Sequence, residues 1–525
     1  MSLNAFEAGT FVAYLAAVVA IGFISGRKGK ASTTDFFLAG RGLPWYVIGF
    51  SLIAASISSE QFIGEVGWGY KYGLAVANWE WLVWPAQAML LLFFLPLYLR
   101  NRIFTVPEYL TKRFGRAVGS AFSIVCMIQY LLINLPLVLY SGGFLINRIF
   151  GLDLRLAVWL LVVVTGSYTI FGGLRSAAWV DLFNGALLIG GGLLVFFLGL
   201  KAVPGGLPAV LGTGERAHLI LPASHPDLPW TGILAVAFVL SGYYYSTNQY
   251  ITQRCLGAKS HWHGKMGVVL AAALALPLGL SVAWPGMIAR ALEPGLPHPD
   301  GAYPFLIGRV VPVGLRGVIF AVLFGAIIST VDSLINSTSS LLTMDIYKGL
   351  VRKDAGDDRL VRFARWTGCL FLVFGALWSP MVGRFGSIFS YAQDSWALML
   401  APIMAVFLLA IFWKRMTRTA AVAALVMAVP MLGLVYLRRF FGVLAGMNIF
   451  NLSGIVFVLS LAAIAAVSLV TAPAGTEDLR STIWRPEMVR LPAEEVAGGY
   501  PWWKHVGLWF ALVAAVFIAI YAVFW

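Results

Sequence analysis

A run of polar side chains interrupts an apolar stretch near the start of the chain. The segment 51–64 reads SLIAASISSEQFIG and places Glu60, Gln61 and four serine hydroxyls close together. In the hydrocarbon core of a bilayer each bare polar group costs several kcal/mol, so such groups persist only where protein, water or a ligand satisfies them. The segment therefore predicts a site for a polar solute or an ion.

Acidic side chains recur inside or at the ends of the apolar stretches, whereas no Lys or Arg is expected deep in any of them. These acids are Glu60, Glu65, Glu80, Asp181, Asp332 and Asp394. Buried acids without buried bases need a cation, a proton or a polar ligand that donates hydrogen bonds. The pattern favours a cation-coupled carrier of a neutral or cationic solute, because an anionic solute would need an Arg or a helix N-terminus.

A second polar cluster lies later in the chain. Ser329, Thr330, Asp332 and Ser333 precede further hydroxyls in the segment 336–340. Sodium is a hard cation that takes oxygen ligands, and an unwound helix can offer free carbonyls opposite the hydroxyls of another helix. Two other interpretations stay open: the hydroxyls bond to carbonyls of their own helix, or Asp332 holds a proton.

The elements that carry these residues are predicted to be membrane helices. The chain of 525 residues is 60% hydrophobic and 11% charged, and apolar runs of about 20 residues recur along nearly all of it. We predict an all-α polytopic membrane protein, a single transmembrane domain over 1–525 without a soluble domain. About fourteen spans are expected, near residues 6–25, 45–65, 76–99, 118–147, 156–171, 177–200, 230–251, 266–289, 313–345, 361–380, 385–412, 419–437, 449–471 and 505–525.

The net charge of +14 is interpreted as the positive-inside bias, so no nucleic-acid partner is expected. With fourteen spans, alternate connections hold most of the 37 Lys and Arg residues. This imbalance places those connections, including the one that carries Arg254, in the cytoplasm and both termini outside. The lipid bilayer is the expected environment, and a monomer or weak oligomer is the expected assembly.

Two of the predicted spans are interrupted in similar ways. Polar residues and Gly break the second span within 51–64 and the seventh within 240–249. Interrupted helices at matching positions in two halves indicate an inverted-repeat transporter with its site at the bilayer midplane. The alternative is a Ser/Gly face that packs against other helices.

Several further motifs follow one another in the same order as in a known family. They are Glu80-Trp81, 105–109 (TVPEY), 171–174 (FGGL), 179–181 (WVD), 248–254 (NQYITQR), 336–338 (NST), 343–348 (TMDIYK) and 412–415 (FWKR). Together with the segment 51–64, the chain resembles the sodium/solute symporter family, in particular its bacterial sodium/galactose (sodium/glucose-type) branch. The resemblance covers nearly the whole chain.

The resemblance implies a LeuT-like core of two inverted repeats with five helices each. It places the first repeat at 45–200 and the second at 230–412, with peripheral helices at 6–25 and 419–525. It also implies a multi-pass protein of the bacterial inner (plasma) membrane.

One sodium site is implied between the broken second span and the ninth span. By position, its ligands would be the carbonyls of Ala54, Ile57 and Ala326 and the hydroxyls of Ser329 and Thr330. Asp181 matches a family Asp linked to sodium coupling, and Asp332 is a second candidate coupling acid. The alternative for Asp181 is an acid at a helix end, paired with Arg175.

The resemblance also implies a solute site. Gln61, Glu80 and Gln393 match sugar-binding positions, Phe389 matches an aromatic of the outer gate, and Tyr244 matches the aromatic that closes the site inward. A carboxylate accepts hydrogen bonds from two adjacent hydroxyls, while amides donate and accept, so this set suits a polyhydroxylated molecule.

Some positions of this site depart from the branch. Its Lys is replaced by Ala275, its Asn by Ser241 and its Ser by Val83, and Ser56 and Trp79 also differ. Glu65 stands where the branch has a Met at the outer gate. Since a site built on specific hydrogen bonds discriminates strongly, galactose itself is not the expected solute, and another sugar or a polyol is.

We therefore predict a sodium-coupled secondary active symporter that imports a small neutral polyhydroxylated solute, with a sugar as the expected substrate, by alternating access. The first alternative is a sodium- or proton-coupled symporter for a polyol, a nucleoside-like solute or an amine. The second is a membrane sensor built on a transporter-like domain. An enzyme is not expected, because the loops offer no nucleophile–base–acid set.

Overall fold

The computed structural model describes residues 4–27, 32–385, 388–473, 479–497 and 499–525. Within these residues, eleven helices are long and apolar enough to cross a membrane. They are Ala5–Gly26, Gln61–Arg100, Arg116–Asn147, Leu154–Ala202, His261–Leu292, Arg316–Val351, Asp357–Arg384, Tyr391–Phe412, Arg418–Phe441, Ile449–Val470 and Val506–Val523. The predicted fold class, an all-α polytopic membrane protein, is confirmed.

The number of spans differs from the fourteen predicted, and interrupted helices account for the difference. The second span begins with the short helix Trp45–Ser56, and its remainder is continuous with the next span in Gln61–Arg100. The fifth and sixth predicted spans lie in the single run Leu154–Ala202. The seventh is divided into pieces too short to be counted alone. The count of fourteen stays a prediction.

The first broken helix stops at Ser56, within the predicted interruption. Ile57 is extended, with φ −111° and ψ 127°. Helical structure resumes at Ser59 and continues through the π-helical turn Gln61–Glu65 and the helix Val66–Tyr72. The Gln61 side chain bridges the gap, because its amide oxygen accepts from the Ser58 backbone N–H at 2.8 Å and its nitrogen donates to the Ser56 carbonyl at 3.1 Å. Backbone groups freed by the break are thus partly satisfied by the chain itself.

The second broken helix runs from Trp230 to Ser246 through a π-helical turn at Val236–Leu240. It stops at Thr247 and Asn248 and resumes as Gln249–Leu256. The buried Tyr130 hydroxyl donates to the Asn248 side chain and accepts from the Gln249 backbone N–H at 3.1 Å. The break therefore lies at the C-terminal end of the predicted segment 240–249.

A glycine divides the longest helical run. Gly173, inside Leu154–Ala202, has φ 58° and ψ −155°, a conformation that side chains disfavour. A Cβ there would lie 2.2 Å from the Phe36 carbonyl oxygen. The two predicted spans on either side of this position are therefore separated by a sharp kink at a close backbone contact.

Burial separates a central group of helices from peripheral ones. The most apolar window of Arg316–Val351 is 94% buried, whereas that of Val506–Val523 is 6% buried. His261–Leu292 is also central, and it approaches the first broken helix so closely that a Cβ at Gly286 would lie 2.0 Å from the Val66 carbonyl oxygen. The polar residues of the two clusters lie on the central helices.

Candidate functional site

Oxygen atoms of two helices meet where the first broken helix ends. The Thr330 hydroxyl, on the helix Arg316–Ser340, lies 3.4 Å from the Ala55 carbonyl oxygen and 3.3 Å from that of Ile57. It also lies 3.2 Å from the carbonyl oxygen of Ala326 in its own helix. Uncharged carbonyl and hydroxyl oxygens are ligands that a hard cation accepts. The donor set therefore fits a sodium ion.

The structure brings together three of the five residues predicted to hold sodium: Ile57, Ala326 and Thr330. Ala54 is buried directly before Ala55, but its carbonyl is not among the three that contact the Thr330 hydroxyl. Ser329 lies next to Thr330, and its hydroxyl points to another partner. It donates to Asp181 Oδ1 at 2.5 Å.

Asp181 is the centre of a buried polar network. Its second carboxylate oxygen accepts from Ser51 of the first broken helix at 2.5 Å and from Arg254 Nη2 at 3.2 Å. Neither Asp181 nor Arg254 has solvent-exposed surface. Through Ser51 and Ser329, Asp181 joins the broken helix to the helix that carries the candidate sodium ligands.

The alternative interpretation, in which Asp181 pairs with Arg175, is therefore wrong. Arg175 Nη2 lies 4.0 Å from Asp35 Oδ1 and donates to the Ala39 carbonyl at 2.9 Å. The expectation that no base lies deep among the spans is also wrong, because Arg254, predicted to be in a cytoplasmic loop, is fully buried. A buried carboxylate needs a compensating charge or donors, and the NQYITQR motif that resumes the second broken helix supplies them.

Asp332 belongs to the same network. It accepts hydrogen bonds from Tyr168 at 2.8 Å and from Ser333 at 3.2 Å. The Ser333 hydroxyl also contacts Arg254 Nη2. The two candidate coupling acids, Asp181 and Asp332, are thus connected through Arg254 and Ser333.

A cavity lies beside the break of the first helix. Its wall contains five of the six predicted solute residues: Gln61, Glu80, Ser241, Tyr244 and Gln393. The remaining one, Phe389, has a side chain that lies outside the described residues. The wall also contains Ser56, Trp79 and Val83, three of the positions that depart from the sugar-transporting branch.

Sequence reasoning missed part of this wall. Tyr245, Trp396, Val236, Leu240 and Leu400 also line the cavity. The run of three tyrosines at 243–245 was the available signal, but sequence alone does not tell which of them face the cavity. Tyr243 faces elsewhere and donates to the Gln129 side chain at 2.7 Å, whereas Tyr244 and Tyr245 line the cavity.

Two further acids lie close to the cavity. Glu60 is buried and accepts a hydrogen bond from Ser58, two residues before it. Glu65 is fully buried, and neither of its carboxylate oxygens has a hydrogen-bond partner among the described residues. The Gln393 side-chain oxygen is also buried without such a partner. The region around the cavity is therefore rich in acceptors that the described residues leave unused.

Comparison with known proteins agrees with this geometry. The model of the sodium:solute symporter family matches residues 36–428. A sodium/glucose cotransporter of Vibrio parahaemolyticus is 35% identical over 451 residues, which cover 80% of this chain and 83% of that protein. Sodium/glucose cotransporter 1 of Sus scrofa is 31% identical over an alignment of 557 positions, which covers 94% of this chain and 84% of that protein.

Two solved structures share the fold. A sodium-coupled sialic acid symporter in a substrate-bound outward-open state aligns with a TM-score of 0.79 at 22% identity, over 90% of this chain and 99% of that one. A nucleobase-cation-symport-1 family transporter aligns with a TM-score of 0.56 at 14% identity, over 87% of this chain and 99% of that one. The LeuT-like fold is thereby confirmed. The chain belongs to the sodium:solute symporter family and is a polytopic membrane protein that couples solute transport to sodium.

Proposed function

We propose that the protein imports a small polyhydroxylated solute, such as a sugar, together with sodium and by alternating access. The sodium/glucose cotransporters among its relatives support a sugar-like solute. The chemistry of the cavity supports it as well, because Glu80, Gln61 and Gln393 lie in one wall. A carboxylate and two amides are groups that recognise hydroxyls.

Sodium is proposed to bind between the first broken helix and the helix Arg316–Ser340. Ile57, Ala326 and Thr330 are the ligands that the contacts support best. Ala54 and Ser329 complete the proposed set, with Ser329 released from Asp181 when the ion is bound. An ion held there would fix the two helices relative to each other, which is the type of contact that rocking of one repeat against the other requires.

The observation that carries the proposal is the position of Gln61. Its amide is bonded to the backbone on both sides of the break, while its side chain also lines the cavity. The Ala55 and Ile57 carbonyls that contact Thr330 belong to the same short stretch of backbone. A change in the conformation of this turn therefore alters the ion site and the solute site together. This is the physical requirement for coupling sodium binding to solute binding.

The membrane potential would supply part of the driving force. One positive charge that moves inward gains about 2.3 kcal/mol per 100 mV. Since about 1.4 kcal/mol corresponds to a tenfold concentration ratio, one sodium ion per solute is enough for more than tenfold accumulation at 100 mV.

Several coarser features belong to the same proposal. The repeats are proposed to span 45–200 and 230–412, with peripheral helices at 6–25 and 419–525. The protein is proposed to lie in the bacterial inner membrane with both termini outside, as a monomer or weak oligomer, and to catalyse no chemical reaction. The Vibrio relative supports the proposed bacterial membrane, and the distribution of Lys and Arg supports the placement of both termini outside.

The test is uptake of labelled sugars into proteoliposomes under an inward sodium gradient, with potassium as the control cation. We expect uptake in sodium only. Thr330→Val and Ser329→Ala should each raise the half-saturating sodium concentration, by about tenfold for Thr330→Val. Thr338→Val and Ser340→Ala are matched controls on or at the end of the same helix, because their hydroxyls donate to Leu334 and Ser337 of that helix. Uptake that is unaffected by removal of sodium would contradict the proposal.

Proton coupling is a second candidate, and the unpartnered carboxylate of Glu65 favours it. A proton on this side chain would remove the charge that otherwise needs compensation. Uptake measured against pH, with and without sodium, separates the two mechanisms. A proton-coupled protein would transport without sodium when the outside is acidic.

A further inference from the structure

The buried charges do not balance around the cavity. Among the described residues, the buried bases are Arg113, Arg254 and Lys265. Arg254 is paired with Asp181, Arg113 donates to the carbonyls of Trp413 and Lys414, and Lys265 donates to the Val489 carbonyl. None of the three lines the cavity.

The buried acids divide into two groups. Glu7 accepts from two backbone N–H groups, Asp181 is bonded to Arg254, and Asp332 accepts from two hydroxyls. The other three buried acids are Glu60, Glu65 and Glu80.

These three acids have few hydrogen-bond donors and no positive charge to compensate them among the described residues. Glu60 has one serine donor, and Glu65 has none among the described residues. Glu60 and Glu65 lie on the resumed part of the first broken helix, and Gln61 between them lines the same wall as Glu80. Acidic groups in such surroundings need a cation or protons.

The cavity wall carries hydrogen-bond acceptors that are available to a bound ligand. Glu80 is 4% exposed and lines the wall, and the described residues provide no hydrogen bond to its carboxylate. The buried oxygen of Gln393 is likewise unpartnered and belongs to the same wall. The amide of Gln61 is already bonded to the backbone. A ligand that satisfies Glu80 and Gln393 must therefore be rich in donors.

Aromatic rings complete the wall. Trp79, Tyr244, Tyr245 and Trp396 line the cavity. The rings of Tyr244 and Tyr245 lie 5.3 Å apart edge to face, and those of Tyr244 and Trp396 lie 6.4 Å apart at a tilt. Such faces bind the apolar face of a sugar ring, and they also attract a cation through the ring quadrupole.

We propose that the solute carries an ammonium group beside its hydroxyls, as an amino sugar does, and that Glu80 receives this group. An ammonium offers three donors and no acceptor, which matches the unused acceptors of the wall. Its charge offsets that of the acid cluster, which a neutral sugar cannot do. The proposal rests on the proposed function and narrows the solute class of the same cavity.

The test compares sodium-driven uptake of glucosamine, glucose and N-acetylglucosamine by the full-length protein in proteoliposomes. N-acetylglucosamine has the same ring and substitution site as glucosamine, but its nitrogen is a neutral amide. We expect the half-saturating concentration of glucosamine to be at least tenfold lower than those of the two neutral sugars. Glu80→Gln should reduce this preference to about twofold or less.

Glu108→Gln is the control variant, because Glu108 pairs with Lys112 at 3.5 Å and does not line the cavity. It should keep the full preference, and elution of both variants as single size-exclusion peaks verifies folding. Sodium-dependent uptake of glucose at equal or lower half-saturation than glucosamine would overturn the amine assignment and leave the proposed function intact. The amine assignment would also be overturned if the affinity for glucose rose at low pH and glucosamine were not preferred. In that case the buried acids would be neutralised by protons and not by the ammonium group of the solute. Lack of sodium-dependent uptake of all three sugars would overturn both proposals.

Discussion

Arg254 and Asp181 form a fully buried ion pair, with 3.2 Å between Arg254 Nη2 and Asp181 Oδ2. The pair joins the resumed part of the second broken helix to the long run Leu154–Ala202. Since Asp181 also accepts from Ser51 and Ser329, the pair contacts the helices on both sides of the candidate sodium site. It is therefore placed to hold these elements in one arrangement.

Removal of one partner should destabilise the protein strongly. Breaking a buried ion pair costs about 3–5 kcal/mol, because the remaining charge is left without compensation. We expect Arg254→Gln to lower the free energy of unfolding by about this amount, as measured by denaturant titration in detergent. We expect Asp181→Asn to have an effect of similar size, because the buried Arg254 then has no carboxylate to compensate its charge, although the amide oxygen still accepts hydrogen bonds.

Arg175→Gln is the matched control. Arg175 lies 4.0 Å from Asp35, and both side chains are partly exposed. Such a pair contributes about 1 kcal/mol or less. Equal destabilisation by the two arginine variants would contradict the role given to Arg254.

Gln61 should couple the ion site to the solute site. Gln61→Leu removes two hydrogen bonds across the break, each worth about 0.5–1.5 kcal/mol. We expect the half-saturating concentrations of sodium and of solute both to rise, each by about tenfold, in uptake measurements. Gln393→Leu provides the contrast, because Gln393 lines the cavity without a bond to the broken backbone and should raise only the solute value. A Gln61 variant that changes only the half-saturating concentration of the solute would contradict the proposed coupling between the two sites.

A carboxylate outside the spans should make stability depend on pH. Glu495 accepts from the backbone N–H groups of His261 and Trp262, both at 2.9 Å, at the start of the helix His261–Leu292. Burial raises the pKa of Glu495, but these hydrogen bonds, together with one from the Ser260 side chain and the charge of His261, lower it more, so the pKa lies below its ordinary value. The stabilisation is therefore present near neutral pH and is lost as the pH falls through the lowered pKa.

We expect Glu495→Gln to destabilise the protein by about 1 kcal/mol at pH 7, the usual effect of losing a helix cap. The difference from the unsubstituted protein should be smaller at an acidic pH, below the lowered pKa of Glu495. Thermal unfolding in detergent at the two pH values measures both effects. Glu494→Gln is the control, because Glu494 is exposed and should leave the melting temperature unchanged. A constant difference between the unsubstituted protein and Glu495→Gln at the two pH values would exclude the pKa effect.

The helical fold could be predicted because the signals are local. Apolar length identifies a span, and the polar residues of 51–64 and 240–249 reveal where two helices break. The kink at Gly173 could not be placed, because its cause is a close contact with Phe36, which is distant in sequence. A count of spans from hydropathy depends on such contacts.

The cavity could be predicted to a greater extent than the network around Asp181. Gln61, Glu80, Ser241, Tyr244 and Gln393 were expected in one site and lie in one wall. Arg254 was assigned to a loop, because a basic residue just after an apolar stretch has the pattern of a cytoplasmic flank. Its burial depends on the break at Thr247 and Asn248, which lets the chain resume inside the protein.

The most direct test is solute-driven sodium entry. Proteoliposomes with equal sodium on both sides and no membrane potential are given an inward gradient of the transported sugar, and labelled sodium influx is followed. We predict that the sugar gradient drives net sodium uptake, and that Thr330→Val weakens this uptake while Thr338→Val does not. Sugar entry without any accompanying sodium would contradict symport through the site between the broken helix and Thr330.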